Sequence, residues 1–157
     1  MQIKPRGKLL LLAGVLLAGS TAWTADLTAT GGWSRRITAG DLTAGAGSDL
    51  ASQQESDAGA TTLAIASTGG AAWQIKVRHS PSTWHSNFTL WVKRTSDGTG
   101  AGSITGGSGY IEVTQVDTVL FSGTKDRSSI SLQYKLTGLS KNVSPNSYLS
   151  SVVFSVE

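Results

Sequence analysis

Hydrolytic chemistry by a nucleophile needs a base, and this chain offers two histidines, His79 and His85. His79 stands at the end of an alternating run, where an exposed strand-end imidazole is expected. His85 sits in the turn Ser80-Pro81-Ser82-Thr83-Trp84-His85. Neither lies in a motif that positions a nucleophile. Paired carboxylates are the other hydrolytic device. Glu112 and Asp117 are the acids nearest an apolar strand pattern, and nothing marks them as a pair tuned by an apolar pocket. The run Gly98-Thr99-Gly100-Ala101-Gly102 lacks the following Lys-Ser/Thr of a phosphate loop and reads as a flexible hairpin tip. No acidic ladder matches a calcium loop. With no cysteine, disulfides, thiol catalysis and Cys-type zinc sites are excluded. The expectation is a non-enzyme without a cofactor. Two glycosylation sequons, Asn87-Phe88-Thr89 and Asn142-Val143-Ser144, are read as chance.

The tryptophans carry more. Trp73 is in phase with Ile75 and Val77, which makes it core. Trp91 is out of phase with Leu90 and Val92, so it faces outward. A hairpin of residues 72–79 with 88–95 would put Trp91 on one face with Gln74, Lys76 and Lys93, with Trp84 in the connecting loop. Flat aromatics beside hydrogen-bonding cations can stack on sugar rings or anchor a protein partner. The candidate ligand or partner surface is therefore Trp84, Trp91, Lys76 and Lys93. The alternative is that a loop covers Trp91 and makes it second-layer core.

The elements that must hold these residues are strands. Alternation of apolar and polar residues marks half-buried strands at 73–78, 88–93, 129–136 and 148–156. Weaker strands are expected at 62–66, 110–114 and 118–121, with further candidates at 27–30 and 33–37. Clusters rich in Gly, Pro, Asn and Ser punctuate them. Residues 38–60 keep neither period and read as a long loop or flexible segment, with at most a helical turn at 49–55. No long helix is expected after residue 22. Many short strands between turns predict an all-β fold, an antiparallel two-layer β-sandwich of Ig-like or jelly-roll-like type. Residues 61–157 form its body, in one domain with residues 23–60.

The first residues carry Lys4, Arg6 and Lys8, then an apolar run, then Gly19-Ser20-Thr21-Ala22. A positive start, a short apolar core and a small-residue exit make a signal-peptide pattern over residues 1–22, with cleavage after Ala25 as the alternative. An uncleaved anchor is the competing reading. The expected location is extracytoplasmic: secreted, cell-surface or periplasmic. The whole chain holds 13 Lys and Arg against 10 Asp and Glu. Without the first 22 residues the two counts are equal, so the basic character argues for no nucleic-acid partner. No membrane span is expected once the signal is removed.

The start Ala25-Asp26-Leu27-Thr28-Ala29-Thr30 and the ending Pro145-Asn146-Ser147-Tyr148, followed by a valine-rich alternating strand to Val156, resemble fimbrial-subunit-like and spore-coat-U-like secreted bacterial β-sandwich proteins. The resemblance implies an Ig-like sandwich at the cell surface. The chain departs from it in lacking the disulfide many fimbrial subunits carry and a glycine-marked donor-strand motif at residues 23–37. Two functions follow as expectations. One is a non-catalytic structural or adhesive surface protein, a fimbria-like subunit that self-associates or meets other surface proteins. The alternative is a carbohydrate-binding module that uses exposed tryptophans to hold a glycan.

Overall fold

A computed structural model describes residues 25–157. The signal pattern at residues 1–22, with Trp23 and Thr24, lies outside the described residues.

The chain folds as two antiparallel sheets packed face to face, as the alternation predicts. Among the described residues ten strands follow in order: β1 (Asp26–Gly31), β2 (Gln53–Glu55), β3 (Thr61–Ala66), β4 (Ala72–Thr83), β5 (Thr89–Arg94), β6 (Ile104–Thr105), β7 (Ile111–Glu112), β8 (Thr118–Thr124), β9 (Arg127–Thr137) and β10 (Leu149–Val156). The larger sheet runs β1-β3-β9-β5-β7, and β2 also pairs with β9. The smaller sheet runs β10-β4-β8-β6. Strand β9 organises the larger sheet. One of its edges pairs with β5 over residues 132–137, while the other takes β3 over 127–132 and β2 over 135–137.

The period-two residues meet between the sheets. Trp73, Ile75 and Val77 from β4 and Phe121 from β8 pack against Leu63 and Ile65 from β3, Leu90 and Val92 from β5, and Ile130, Leu132 and Tyr134 from β9. Each side chain removed from water in this way contributes roughly 1.5–3 kcal/mol. Trp73 meets Phe121 edge-on at 6.1 Å, and its indole N–H donates to the Lys125 carbonyl at 2.8 Å, so its one polar atom is satisfied in the core. Tyr134 achieves the same by donating its hydroxyl to Thr61 Oγ1 at 2.8 Å. Phe154, Val152 and Val156 also point inward from β10, but they are only half-buried because β10 is the sheet's edge.

Three expectations are corrected. Residues 38–60 are mostly irregular, as a long loop, but a single 3-10 turn (Ala39–Asp41) and β2 lie within them, and there is no helical turn at 49–55. Polar bonds hold this segment where apolar periodicity cannot. The Asp41 carboxylate accepts from Thr38 N at 2.7 Å and pairs with Arg35, while Asp49 accepts from the backbone N–H of Lys141 at 2.7 Å, ninety-two positions away. The glycine run 98–102 is a strap packed on the β8–β9 connection rather than a loose tip. A Cβ at Gly98 would lie 2.1 Å from the Ser128 carbonyl oxygen. Arg127, buried, clamps the strap by donating to the carbonyls of Asp97 and Gly102 at 3.0 Å each. His79, finally, follows the inward series of Trp73, Ile75 and Val77 and is buried, not exposed.

Candidate functional site

Strands β4 and β5 are consecutive in sequence but lie in different sheets. The hairpin of 72–79 with 88–95 therefore does not form, and the four expected surface residues are not neighbours. Lys76 is on the outer face of the smaller sheet, where it pairs with Glu157 at 2.5 Å. Trp84 packs at one end of the sandwich. Its ring meets His79 and Phe88 edge-on at 5.6 Å each, and its indole N–H donates to the Phe88 carbonyl at 3.2 Å. Phe88 in turn meets Tyr148 at 4.9 Å, so this aromatic cluster ties the β4–β5 connection to the segment before β10. Burial pushes the His79 imidazole below its ordinary pKa, with Glu112 acting weakly the other way. Its Nδ1 lies 3.0 Å from Ser150 Oγ.

Trp91 and Lys93 remain together on the outer face of the larger sheet, and the register there brings in new neighbours. Trp91 lies opposite Lys135 on one side and Glu112 on the other, and Lys135 lies opposite Glu55. Glu55, Lys135, Trp91 and Glu112 thus form one row across β2, β9, β5 and β7. The next row along holds Gln133 opposite Lys93, with Tyr110 just before β7. Because residues on one face repeat every second position, these two rows are adjacent on the same surface.

The side chains interlock. The Lys135 ammonium lies 5.2 Å from the Trp91 ring centroid and 4.3 Å from that of Tyr110, and the Lys93 ammonium lies 4.4 Å from the Tyr110 centroid. Two cations thus share one phenol ring. A cation over an aromatic face is worth about 0.5–1 kcal/mol at exposed sites. Trp91 is half-buried and anchored by its indole N–H, which donates to Thr137 Oγ1 at 3.1 Å. The Tyr110 hydroxyl is enclosed, with no well-formed hydrogen bond but with the Glu55 carboxylate near it. Burial, aided by the negative charge of Glu55, pushes its pKa up to about 12. It is therefore a neutral phenol at any physiological pH.

Tyr110 and Lys135 escape a reading of residues 72–95 alone, although Lys135 sits in the outward phase of β9 with Ser131 and Gln133. Only the β9-β5-β7 order makes them neighbours of Trp91. Two shallow grooves lie elsewhere. One, of about 550 Å³, runs between the Thr68–Gly70 turn, the glycine strap and Lys125-Asp126, where Thr68 already occupies the Asp126 carboxylate through its N–H and hydroxyl. Among the described residues no group of three or more His, Asp or Glu gathers to hold a metal ion, and no helix is long and apolar enough to cross a membrane.

Fold and site together define an all-β sandwich with an aromatic and lysine platform on its larger sheet. No protein-family model matches the chain, nor does any curated protein or solved structure.

Proposed function

We propose that the protein is a non-catalytic adhesive module of the cell exterior that recognises carbohydrate on the outer face of its larger sheet. The observation that carries this reading is the interlocked set Trp91, Lys135, Tyr110 and Lys93, built from three neighbouring strands. A rigid sheet holds the aromatic rings in place before a ligand arrives, so little ordering entropy is lost on binding. The lysines, glutamates and Gln133 around the rings supply donors and acceptors of the kind that sugar hydroxyls use. Glu55 and Glu112 stand at opposite ends of the row, with three strand spacings between their backbones, roughly 14 Å. Export rests on the Lys4-to-Ala22 signal pattern.

Pull-down on a panel of insoluble polysaccharides tests the reading. The wild-type protein should be retained on at least one, and Trp91→Ala should reduce retention while Trp84→Phe leaves it intact. Retention that does not depend on Trp91 would remove the platform from the account.

A second reading, the fimbria-like structural subunit, draws on β10. This edge strand carries no charged residue from Leu149 to Val156, and its outer edge is unpaired among the described residues. Such edges favour strand-to-strand association. The pairing of β1 with β3 inside one chain weighs against an N-terminal strand given to a neighbour. Size-exclusion chromatography separates the two: a monomer at micromolar concentration fits the binding module, and an elongating series of oligomers fits the subunit.

A further inference from the structure

The platform holds two lysines and two glutamates, but the lysines are not paired to the glutamates, and this bears on the kind of sugar it takes. The ion pairs among the described residues engage Arg35, Lys76, Arg78 and Arg94. Neither Lys93 nor Lys135 has a carboxylate within 4.0 Å among those residues, although Glu55 and Glu112 share their face. Glu55 reaches instead toward Gln133, whose amide nitrogen is 3.5 Å from its carboxylate. Both free ammoniums converge on the Tyr110 ring, at 4.4 and 4.3 Å, so they are separated by no more than the sum of those distances. Two like charges around one ring repel each other, and the half-buried rings beside them weaken solvent screening, while Glu55 and Glu112 on the same face offset part of the repulsion. An anion reaching both ammoniums at the rim of the ring would reduce that repulsion and accept a charge-assisted hydrogen bond from each. Trp91 lies directly beside Lys135, whose ammonium rests over its ring, so a sugar ring whose anion engages Lys135 would come to lie next to the exposed part of the indole.

We infer that the platform binds an acidic polysaccharide, with a carboxylate or sulfate engaging Lys93 and Lys135 and its sugar ring beside Trp91. This rests on the carbohydrate reading above and narrows it. A nucleic acid offers the same charge but adds bases. The equal count of acidic and basic residues after residue 22 disfavours it, because no broad basic field surrounds the two lysines.

The test measures the affinity of the purified protein for polygalacturonate and for its methyl ester, which keeps the sugar ring and loses the charge. Chondroitin sulfate and unsulfated chondroitin separate sulfate from carboxylate, and a mixed-sequence single-stranded oligonucleotide completes the panel. The inference expects at least one acidic polymer to bind about tenfold or more tighter than its uncharged or less charged counterpart. Lys93→Met and Lys135→Met should each abolish that preference while retaining residual binding to the methyl ester, and Lys76→Met should change nothing. Thermal unfolding of each variant shows whether it remains folded, and Lys135→Arg should restore binding by returning the charge. Equal affinity for polygalacturonate and its methyl ester, with no sulfate preference, would overturn the acidic class and leave the carbohydrate reading standing. Binding of none of the polysaccharides would overturn both. Equal affinity for the oligonucleotide, insensitive to Trp91→Ala, would show a general polyanion surface and also overturn the inference.

Discussion

Trp91 and Lys135 lie directly opposite each other across the β5–β9 ladder, and the Lys135 ammonium rests 5.2 Å from the Trp91 ring centroid. The pair exists because the chain crosses between sheets after β4, so that β5 lies beside β9 rather than beside its predecessor. Its consequences separate the role of this tryptophan from that of the one in the core.

Trp91→Ala should lower stability by only about 1 kcal/mol, the worth of its bond to Thr137 and partial packing, while weakening carbohydrate binding by about 1–3 kcal/mol. Trp73→Ala should cost about 3–5 kcal/mol of stability, since its ring is buried and leaves a cavity. Urea denaturation of both variants checks the contrast. Equal losses would mean Trp91 is core.

Much of the fold was legible because burial follows the period of two. The inward phases of 73–77, 88–92 and 130–134 all stand, down to Trp73 in the core. What alternation cannot supply is the neighbour of each strand. Residues 84–88 are short enough for a hairpin loop, yet they carry the chain from one sheet to the other, which separates Lys76 from Trp91. The order in residues 38–60 was hidden for another reason. It rests on single polar bonds such as Asp49 to Lys141, which leave no periodic trace. Lys93 and Trp91 were found from phase alone, whereas Tyr110 and Lys135 needed the strand order.

Gly123→Ala should destabilise the fold by about 1–3 kcal/mol through overpacking. Its added Cβ would meet the Trp73 ring at 2.4 Å and the Ser103 carbonyl oxygen at 2.8 Å. No left-handed backbone conformation contributes at this position, so the clash alone sets the effect. The midpoint of chemical denaturation reads it, and an unchanged midpoint would mean that the β4–β8 contact is looser than described.

Three loop carboxylates should make the protein acid-sensitive. Backbone N–H donors, chiefly that of Thr38 for Asp41 and that of Lys141 for Asp49, hold these carboxyls below the ordinary range, and the Thr68 hydroxyl and N–H do so for Asp126. A carboxyl with a lowered native pKa stabilises the fold above its unfolded value, about 3.9, and that contribution disappears as pH falls through the native value. Thermal midpoints should therefore drop as pH falls below about 4. Asp49→Asn and Asp126→Asn should each flatten the drop. A pH dependence unchanged by both substitutions would contradict these staples.

His79 should act in a higher window. Its native pKa is depressed by burial, so the unfolded chain takes up the proton first as pH falls below about 6.5. Stability is then lost between that value and the lowered native one. His79→Gln keeps a hydrogen-bonding group near Ser150 and removes the titration. Its unfolding free energy should vary less between pH 7 and pH 5 than that of the wild type. An identical slope would place the imidazole in solvent.

The most direct test of the carbohydrate platform follows the tryptophan indole N–H resonances by nuclear magnetic resonance while trigalacturonic acid, and separately cellotriose, is added. The Trp91 indole resonance should move with saturable dependence on at least one of the two sugars, while those of Trp73 and Trp84 stay in place. Shifts at Trp84 with Trp91 unmoved, or no shift at any indole at millimolar sugar, would contradict it.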